Sequence, residues 1–160
     1  MNPITVTITS FGYLHAAPPA AHLTFDLRQH FKDPHVAPEL RHRTAEDQVV
    51  REAVLRTAGI PQLLTAIATA ANAYLSGPSA DTVATLDIAT GCAGGRHRAG
   101  TTAMVLAAIM AGDQDQLAYL TGGQDAARRW ELDRLARWYA DRPYDVHLVH
   151  RDMHRAVVAR

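Results

Sequence analysis

A strand, a glycine-rich loop and a helix follow one another over residues 84–111, and this segment constrains the fold more than any other. The run Ala84-Thr85-Leu86-Asp87-Ile88-Ala89 predicts a buried strand, and the loop Gly91-Cys92-Ala93-Gly94-Gly95-Arg96-His97-Arg98 follows it. A helix that is apolar on most sides is predicted from about Arg98 to Ala111. Backbone N–H groups of such a loop, and of the helix N-terminus after it, can bind a phosphate group. The segment therefore predicts a parallel α/β unit with an anion-binding loop.

Further strands and helices are predicted around this unit. Strands are expected at residues 4–9, 23–27 and 145–149, and residues 29–45 read as a long polar loop. Helices are expected at about 47–58, 60–75 and 124–141, with a short element at 114–123 and a short helix after His150; Gly123 and Pro143 are predicted to end two of these elements. The predicted fold class is α/β: a single domain over residues 1–160, in which a mixed, mostly parallel sheet is flanked by helices and the phosphate-binding loop lies between a central strand and a helix.

The composition of the chain argues against several classes of function. Sixteen basic and sixteen acidic side chains give a formal net charge of zero, which argues against strong non-specific binding to nucleic acid. The single cysteine cannot form an internal disulfide, and this fits a reducing compartment. Since the sequence has no apolar run of transmembrane length and no recognisable signal peptide, a cytoplasmic location without membrane contact is expected. No cofactor and no metal are predicted, although the spacing of His147, His150 and His154 leaves a metal as a minor alternative.

Several polar residues follow predicted strands. Ser10, Asp26 and His150 lie at or just beyond the ends of three strands, and residues 91–98 follow the fourth. Because ligands of parallel sheets bind beyond the carboxyl ends of the strands, we expect these residues to converge on one site.

Cys92 and Arg98 are separated by five residues, and this spacing resembles the Cys-x5-Arg loop of the protein tyrosine phosphatases. In that family the cysteine thiolate attacks phosphorus and the arginine binds the equatorial oxygens. Gly95 matches a glycine of that loop, but Gly91 and Ala99 stand where that family has histidine and a hydroxyl residue. A Cys-dependent phosphatase with Cys92 and Arg98 as its catalytic residues is therefore one hypothesis.

Six ordered motifs give a second and wider resemblance. The chain carries Ser10-Phe11-Gly12-Tyr13 with His15, Phe25-Asp26-Leu27-Arg28, Asp33-Pro34-His35, Leu40-Arg41-His42-Arg43-Thr44-Ala45-Glu46-Asp47, Thr90-Gly91-Cys92-Ala93-Gly94-Gly95-Arg96-His97-Arg98-Ala99 and His150-Arg151-Asp152. In this order they resemble the C-terminal domain of the RapZ family, the RNase adapter or YvcJ-like proteins. The resemblance covers most of the chain.

The resemblance implies a non-catalytic domain that senses a phosphorylated small molecule, such as the aminosugar phosphate glucosamine-6-phosphate, and signals through a partner. It implies a phosphate site at the loop, formed by Cys92, Ala93, Gly94, Gly95, Arg96, His97 and Arg98. The remaining ligand contacts would come from Ser10, His15, Asp26, Arg28, His35, Arg41, His150 and Arg151. Better-known members also bind a small RNA and present it to a ribonuclease, so an RNA-binding adapter that acts as a homo-oligomer is a further alternative.

The chain departs from this family in three ways. The nucleotide-binding motif Gly-x4-Gly-Lys-Ser/Thr of full-length members does not occur in these 160 residues. Ala93 and Ala99 replace a threonine and a serine that flank the Gly-Gly-x-His-Arg core, which removes two hydroxyl donors. Residues at about 112–135 are predicted to be a helical insertion.

Overall fold

The computed structural model describes residues 3–122, 124–142 and 144–159, in which four strands and five α-helices form an α/β domain. The strands are β1 (Thr5–Gly12), β2 (Leu23–Asp26), β3 (Thr85–Cys92) and β4 (Asp145–His150). The helices are α1 (Gln48–Leu55), α2 (Ile60–Leu75), α3 (Arg98–Met110), α4 (Gln114–Leu120) and α5 (Ala126–Ala140). Short 3-10 turns occur at Pro34–Val36 and Ala80–Thr82.

The four strands form one sheet in the order β2-β3-β1-β4, and every pair is parallel. The predicted fold class is thereby confirmed. Gly12 lies opposite Cys92, and Ser10 lies opposite both Thr90 and His150. Because Asp26 pairs with Gly91, all four strands end at the same edge of the sheet.

The core lies between the sheet and α3. Alternation along β1 places Val6 and Ile8 on the face that the helices cover, and both are fully buried. Every residue of α3 except Met104 is buried, because the helix packs against β1, β3 and β4 on one side and against α2 and α5 on the other. This surrounded position explains why the α3 sequence is apolar on most sides.

Arg51 of α1 joins the helical layer to the segment that precedes it. The side chain is 2% exposed, and its guanidinium donates hydrogen bonds to the carbonyls of Leu120, Ala45 and Glu46. It thus caps the C-terminal end of α4 and fixes the turn that leads into α1. The Ala45 amide in turn donates to the Arg96 carbonyl at 2.8 Å, so this turn is also held against the glycine-rich loop.

The short helix expected after His150 does not form. The Arg151 amide continues the sheet by donating to the Ser10 carbonyl at 3.0 Å, and the chain then turns over the glycine-rich loop and runs on without regular structure to residue 159. Asp152, which the sequence also allows as a helix cap, is instead buried and accepts the Gly12 amide at 2.8 Å. This long-range bond holds the backbone in a turn.

Two predicted helix ends, Gly123 and Pro143, lie outside the described residues. In the part of the chain that the structure describes, no helix combines the length and the apolar composition that crossing a membrane requires.

Candidate functional site

The glycine-rich loop of residues 91–98, called the phosphate loop from here on because of its predicted role, lies directly on the end of β1. Gly95 has a φ of +75°, and a Cβ added there would lie 2.9 Å from both the Gly12 amide nitrogen and the Phe11 carbonyl carbon. A Cβ on Gly12 would lie 2.6 Å from the Gly94 carbonyl carbon. Two backbones therefore meet where only glycines fit. The sequence pattern identified Gly95 but gave no reason to select Gly12.

A small cleft opens beside this loop at the N-terminus of α3. Its walls come from the phosphate loop, the segment after β1, the 29–45 loop and the C-terminal tail, which we define as residues 151–159. The lining residues are Leu14, His15, Asp33, His35, Cys92, Gly94, Arg96, His97, Arg98, Ala156, Val157 and Val158. Its cavity volume is about 20 Å³, room for roughly one water molecule.

The charges of the cleft favour an anion. Two arginines line it, against the single carboxylate of Asp33, and three histidines add further ring nitrogens. The first amides of α3 add to this potential, because the first turn of a helix has no acceptor for them within the helix.

Arg98 holds the polar loop against α3. The side chain is 3% exposed, and its Nη1 donates to the carbonyls of Leu27 (2.9 Å), Arg28 (3.0 Å) and Phe31 (2.9 Å). Its Nη2 lies 2.9 Å from an Asp33 carboxylate oxygen. Both terminal nitrogens are thus engaged by the protein, and they are not free to clamp a phosphate in the way that the Cys-x5-Arg pattern predicts.

Arg96 joins the phosphate loop to the tail. Its Nη1 donates to the carbonyls of Met153 (3.3 Å) and Arg155 (2.7 Å). Its Nη2 donates to the His42 carbonyl at 2.7 Å. This arginine therefore fixes the position of two segments that border the cleft.

Three buried nitrogens of the cleft residues lack a hydrogen-bond partner among the described residues. They are His15 Nε2, Arg96 Nε and Arg98 Nε. A buried polar atom without a hydrogen-bond partner is costly, and here the three belong to residues that line one cavity. An anion in the cleft would supply acceptors for the two arginine nitrogens, and for His15 Nε2 when that nitrogen carries a proton.

His97 is 4% exposed, and its Nε2 lies 3.0 Å from the Arg43 carbonyl. Burial lowers the pKa of His97, although the hydrogen bond to Arg43 and the charge of Asp33 act in the opposite direction. The His35 ring lies 6.5 Å from the His97 ring, between centroids. His97 is therefore neutral near pH 7 and packs as part of the cleft wall.

Ser10 and His150 form a pair beneath the loop. Ser10 is fully buried, and its Oγ lies 2.6 Å from His150 Nδ1. Burial lowers the pKa of His150, opposed by the charge of Glu46. Neither residue lines the cleft, so their predicted contacts with a ligand stay predictions.

Asp152 organises the other side of the loop. Arg151 donates from Nε to an Asp152 carboxylate oxygen at 2.8 Å, and it also reaches the carbonyls of Ala17 and Gly12. Burial alone would raise the pKa of Asp152, but Arg151, the Gly12 amide and the charge of His15 together lower it. Arg151 is therefore used to fasten the tail to the end of β1.

Asp26 and Arg28 lie at the exposed rim beyond β2. Arg28 Nη2 lies 2.6 Å from an Asp26 carboxylate oxygen, and its guanidinium stacks 3.6 Å above the Tyr13 ring. The hydrogen bond from Arg28 lowers the pKa of Asp26, so this carboxylate is ionised. Arg41 donates to the His35 carbonyl at 3.3 Å and does not line the cleft.

Cys92 is a free thiol that is 3% exposed and lines the cleft at the end of β3. The structure thus brings the cysteine of the Cys-x5-Arg pattern to the expected place. Thr90, on the same strand, donates to the Ala99 carbonyl at 2.9 Å and ties β3 to the start of α3.

The three histidines that could have formed a metal site are engaged separately. His147 pairs with Asp145, His154 pairs with Glu46, and His150 bonds to Ser10. Within residues 3–122, 124–142 and 144–159, no group of three or more metal-ligating side chains is clustered.

Two parts of the site were not identified from the sequence. Asp33 belongs to the Asp33-Pro34-His35 motif, but its ion pair with Arg98 could not be inferred from that motif. The tail residues 156–158 were also missed; their only signal is the apolar run Ala156-Val157-Val158-Ala159 near the end of the segment.

Comparison with known proteins gives a family and a set of longer relatives. A family model described as the RapZ C-terminal domain matches residues 4–121. A nucleotide-binding protein of Symbiobacterium thermophilum is 31% identical over 150 residues, which cover 94% of this chain and 40% of that protein. A nucleotide-binding protein of Rhodospirillum centenum is 33% identical over 150 residues (94% and 36%), and one of Thermobifida fusca is 34% identical over 105 residues (66% and 35%). The chain thus spans between a third and two fifths of the length of these relatives.

Proposed function

This chain belongs to the RapZ C-terminal domain family, and on that premise we propose that it is a non-catalytic sensor domain which binds a phosphorylated small molecule in the cleft. The proposed ligand is an aminosugar phosphate such as glucosamine-6-phosphate, with its phosphate at residues 92–98. Binding is transmitted to a partner.

The observation that carries this proposal is the set of unpartnered nitrogens. His15 Nε2, Arg96 Nε and Arg98 Nε are buried, lie on residues of one cleft and have no acceptor among the described residues. A phosphate group has acceptor oxygens and negative charge, so it matches both these donors and the N-terminus of α3. The relatives are named nucleotide-binding proteins, and this name is compatible with a phosphate-bearing ligand.

The roles of the phosphate-loop residues change in this proposal. The backbone of Ala93, Gly94 and Gly95 and the Nε atoms of Arg96 and Arg98 contact the anion, whereas the terminal nitrogens of Arg98 keep the cleft in shape. The exposed pair of Asp26 and Arg28 at the rim is available for the sugar hydroxyl and amino groups. The ligand roles of Ser10, Arg41, His150 and Arg151 remain predictions.

A thermal-shift screen of sugar phosphates and inorganic phosphate tests the proposal. A ligand at one hundred times its Kd stabilises the folded chain by about 2.7 kcal/mol, and the melting temperature rises accordingly. His15→Ala is expected to weaken affinity about tenfold or more, since a hydrogen bond to a charged group contributes about 1.5–3 kcal/mol. The matched control is His22→Ala, because His22 lies at the other end of the sheet, bonded to Asp87. Equal affinity loss in both variants, or no ligand at all in the screen, contradicts the proposal.

A Cys-dependent phosphatase is the second candidate, and the position of Cys92 in the cleft favours it. The engagement of both Arg98 terminal nitrogens argues against it, because the transition state of phosphoryl transfer needs those donors. Incubation with a chromogenic phosphomonoester separates the two candidates. Turnover that disappears in Cys92→Ser would establish the phosphatase, whereas ligand binding without turnover supports the sensor.

We also propose that the chain acts as a homo-oligomer. The edge strand β4 presents Leu148 (38% exposed) and Val149 (44% exposed) beside unpaired backbone groups, and such edges favour pairing with another chain. Light scattering should give more than the monomer mass, and Leu148→Lys should reduce it.

The RNA-adapter alternative predicts an RNA affinity that falls steeply with salt; a flat or absent response excludes it.

A further inference from the structure

We propose that residues 156–158, here called the strap, cover the cleft in the free protein and must move outward for a phosphate-bearing ligand to bind. This inference rests on the proposed function and adds a regulatory step to the same site. The seated strap and the bound ligand exclude one another.

The part of the tail before the strap is firmly anchored. Asp152 is 1% exposed, accepts the Gly12 amide and pairs with Arg151. Met153 is fully buried, with its side chain against Gly100 of α3. Movement of the tail is therefore expected to begin beyond these two residues.

The strap itself is held by much weaker contacts. Val157 and Val158 are half-buried and Ala156 is exposed, and all three lie in a segment without regular structure. These small apolar residues line the cleft together with Cys92, His15 and Arg98. Of the elements that form the cleft, the strap is the one that can move without disturbing β1, β3 or α3.

The size of the cleft makes such movement necessary. A volume of about 20 Å³ holds about one water molecule, and a phosphate group with four oxygens does not fit. The wall formed by the phosphate loop cannot retreat, because Gly94 and Gly95 already contact the backbone of β1. Room for the ligand must therefore come from another wall. Arg98 holds the 29–45 loop through Asp33, so the strap is the wall that we expect to move.

Arg96 couples the strap to the ligand. It donates to the carbonyls of Met153 and Arg155, immediately before the strap, while its Nε is one of the unpartnered nitrogens of the cleft. A ligand that draws the guanidinium toward the anion weakens the bond to the Arg155 carbonyl. Ligand binding would thereby release the strap, and by linkage a partner that captures the released strap would tighten ligand binding.

Calorimetric titration of the full chain with inorganic phosphate and with glucosamine-6-phosphate tests this proposal. In Val157→Ser with Val158→Ser, both probes should bind about tenfold more tightly, as expected if the strap is seated in about nine tenths of free molecules. The matched control is Val49→Ser with Val83→Ser, which removes two exposed valines away from the cleft and should leave both affinities unchanged.

The outcomes separate this proposal from the proposed function. If the strap variant and the control bind both probes with equal affinity, the strap proposal is wrong, whereas the proposed sensor function is unaffected. If neither probe binds to any of the three proteins, the proposed function fails and the strap fails with it.

Limited trypsin digestion gives a second test on the unaltered chain, independent of whether the variants fold. Trypsin cleaves after Arg155, whose side chain is exposed but whose carbonyl is bonded to Arg96. Glucosamine-6-phosphate should speed the loss of residues 156–160 by several-fold, measured by mass spectrometry and corrected with a small peptide substrate in the same buffer. An unchanged or slower cleavage at saturating ligand contradicts the proposal.

Discussion

The two ends of the parallel sheet carry very different cavities. At the amino end, an open hollow of about 570 Å³ is lined mostly by apolar side chains such as Ile4, Leu75 and Val83. At the carboxyl end, the cleft has only about 20 Å³ but is lined by two arginines, three histidines, an aspartate and the cysteine. Among the described residues of the larger hollow, His22 is the only charged or titratable group apart from the Tyr74 hydroxyl. The candidate site is assigned to the carboxyl end from the chemistry of its walls, although the larger cavity lies at the amino end.

The direction of the chain explains this difference. In a parallel sheet every strand runs toward the same edge, and each crossover helix begins there with free amides that favour negative charge. Here β3 delivers Cys92 and the phosphate loop to that edge, and α3 starts directly after it. At the amino end, the chain returns from helix C-termini to enter the strands, and the short Ala80–Thr82 turn precedes β3 there.

The largest difference between the two ends should appear when a buried arginine is removed. Arg98→Met is expected to destabilise the fold by about 3–5 kcal/mol, because Asp33 and three carbonyls lose their donor in a buried site. Arg142→Met is the matched change near the start of β4, where Arg142 stacks 3.1 Å from the Trp138 ring centroid; it should cost about 1 kcal/mol or less. Urea unfolding measures both. Similar losses in the two variants would show that Arg98 contributes no special support to the cleft.

Two glycines give a second and somewhat smaller contrast. Gly95→Ala should destabilise the fold by about 1–3 kcal/mol, since φ is +75° and the new Cβ meets the backbone of Phe11 and Gly12. Gly77→Ala, at the amino end, places its Cβ 3.5 Å from the nearest atom, an ordinary contact. It should be neutral or stabilise by about 0.4–1 kcal/mol through the unfolded chain. Thermal unfolding of both variants checks this; a tolerated Gly95→Ala would mean that the loop can move away from β1.

The sequence allowed most of the fold to be predicted because its signals are local. Alternation in Ile4-Thr5-Val6-Thr7-Ile8-Thr9 and the glycine-rich run after β3 determine structure within about ten residues of themselves. The predicted strands and the longer helices accordingly match the structure closely. The terminal helix was predicted wrongly, because the contact that decides it, between Gly12 and Asp152, joins residues 140 positions apart.

The same reasoning explains the limits of the site prediction. The Cys-x5-Arg pattern is the same whether its arginine binds a ligand or binds carbonyl groups of its own chain. Only the path of residues 27–33 around Arg98 reveals that its terminal nitrogens are already used. The sequence therefore located the loop correctly, whereas the partners of its side chains depended on segments brought in by tertiary folding.

The smallest expected difference between the two ends concerns proton uptake by histidines. Burial lowers the pKa of both His97 and His150, at the carboxyl end, below the ordinary value of 6.5. Well above pH 6.5 both histidines are neutral in the folded and unfolded chains, so they do not affect stability. As the pH falls below this value, the unfolded chain takes up protons that the folded chain does not, and the free energy of unfolding decreases. Asp33 and Arg96 act on His97 in opposite directions, as do Glu46 and His154 on His150, and in both cases burial is the larger cause.

Urea midpoints measured between pH 5 and pH 8 should therefore fall on the acidic side. In a chain with His97→Gln and His150→Gln, the slope between pH 6.5 and pH 5 should become flatter, because two of the groups that take up protons only on unfolding are gone. His22→Gln is the control variant, because the His22 side chain lies at the amino end of the sheet and is about two-fifths exposed. If the double variant keeps the full slope, carboxylates such as Asp152 control the acid response, and His97 and His150 do not distinguish the two ends.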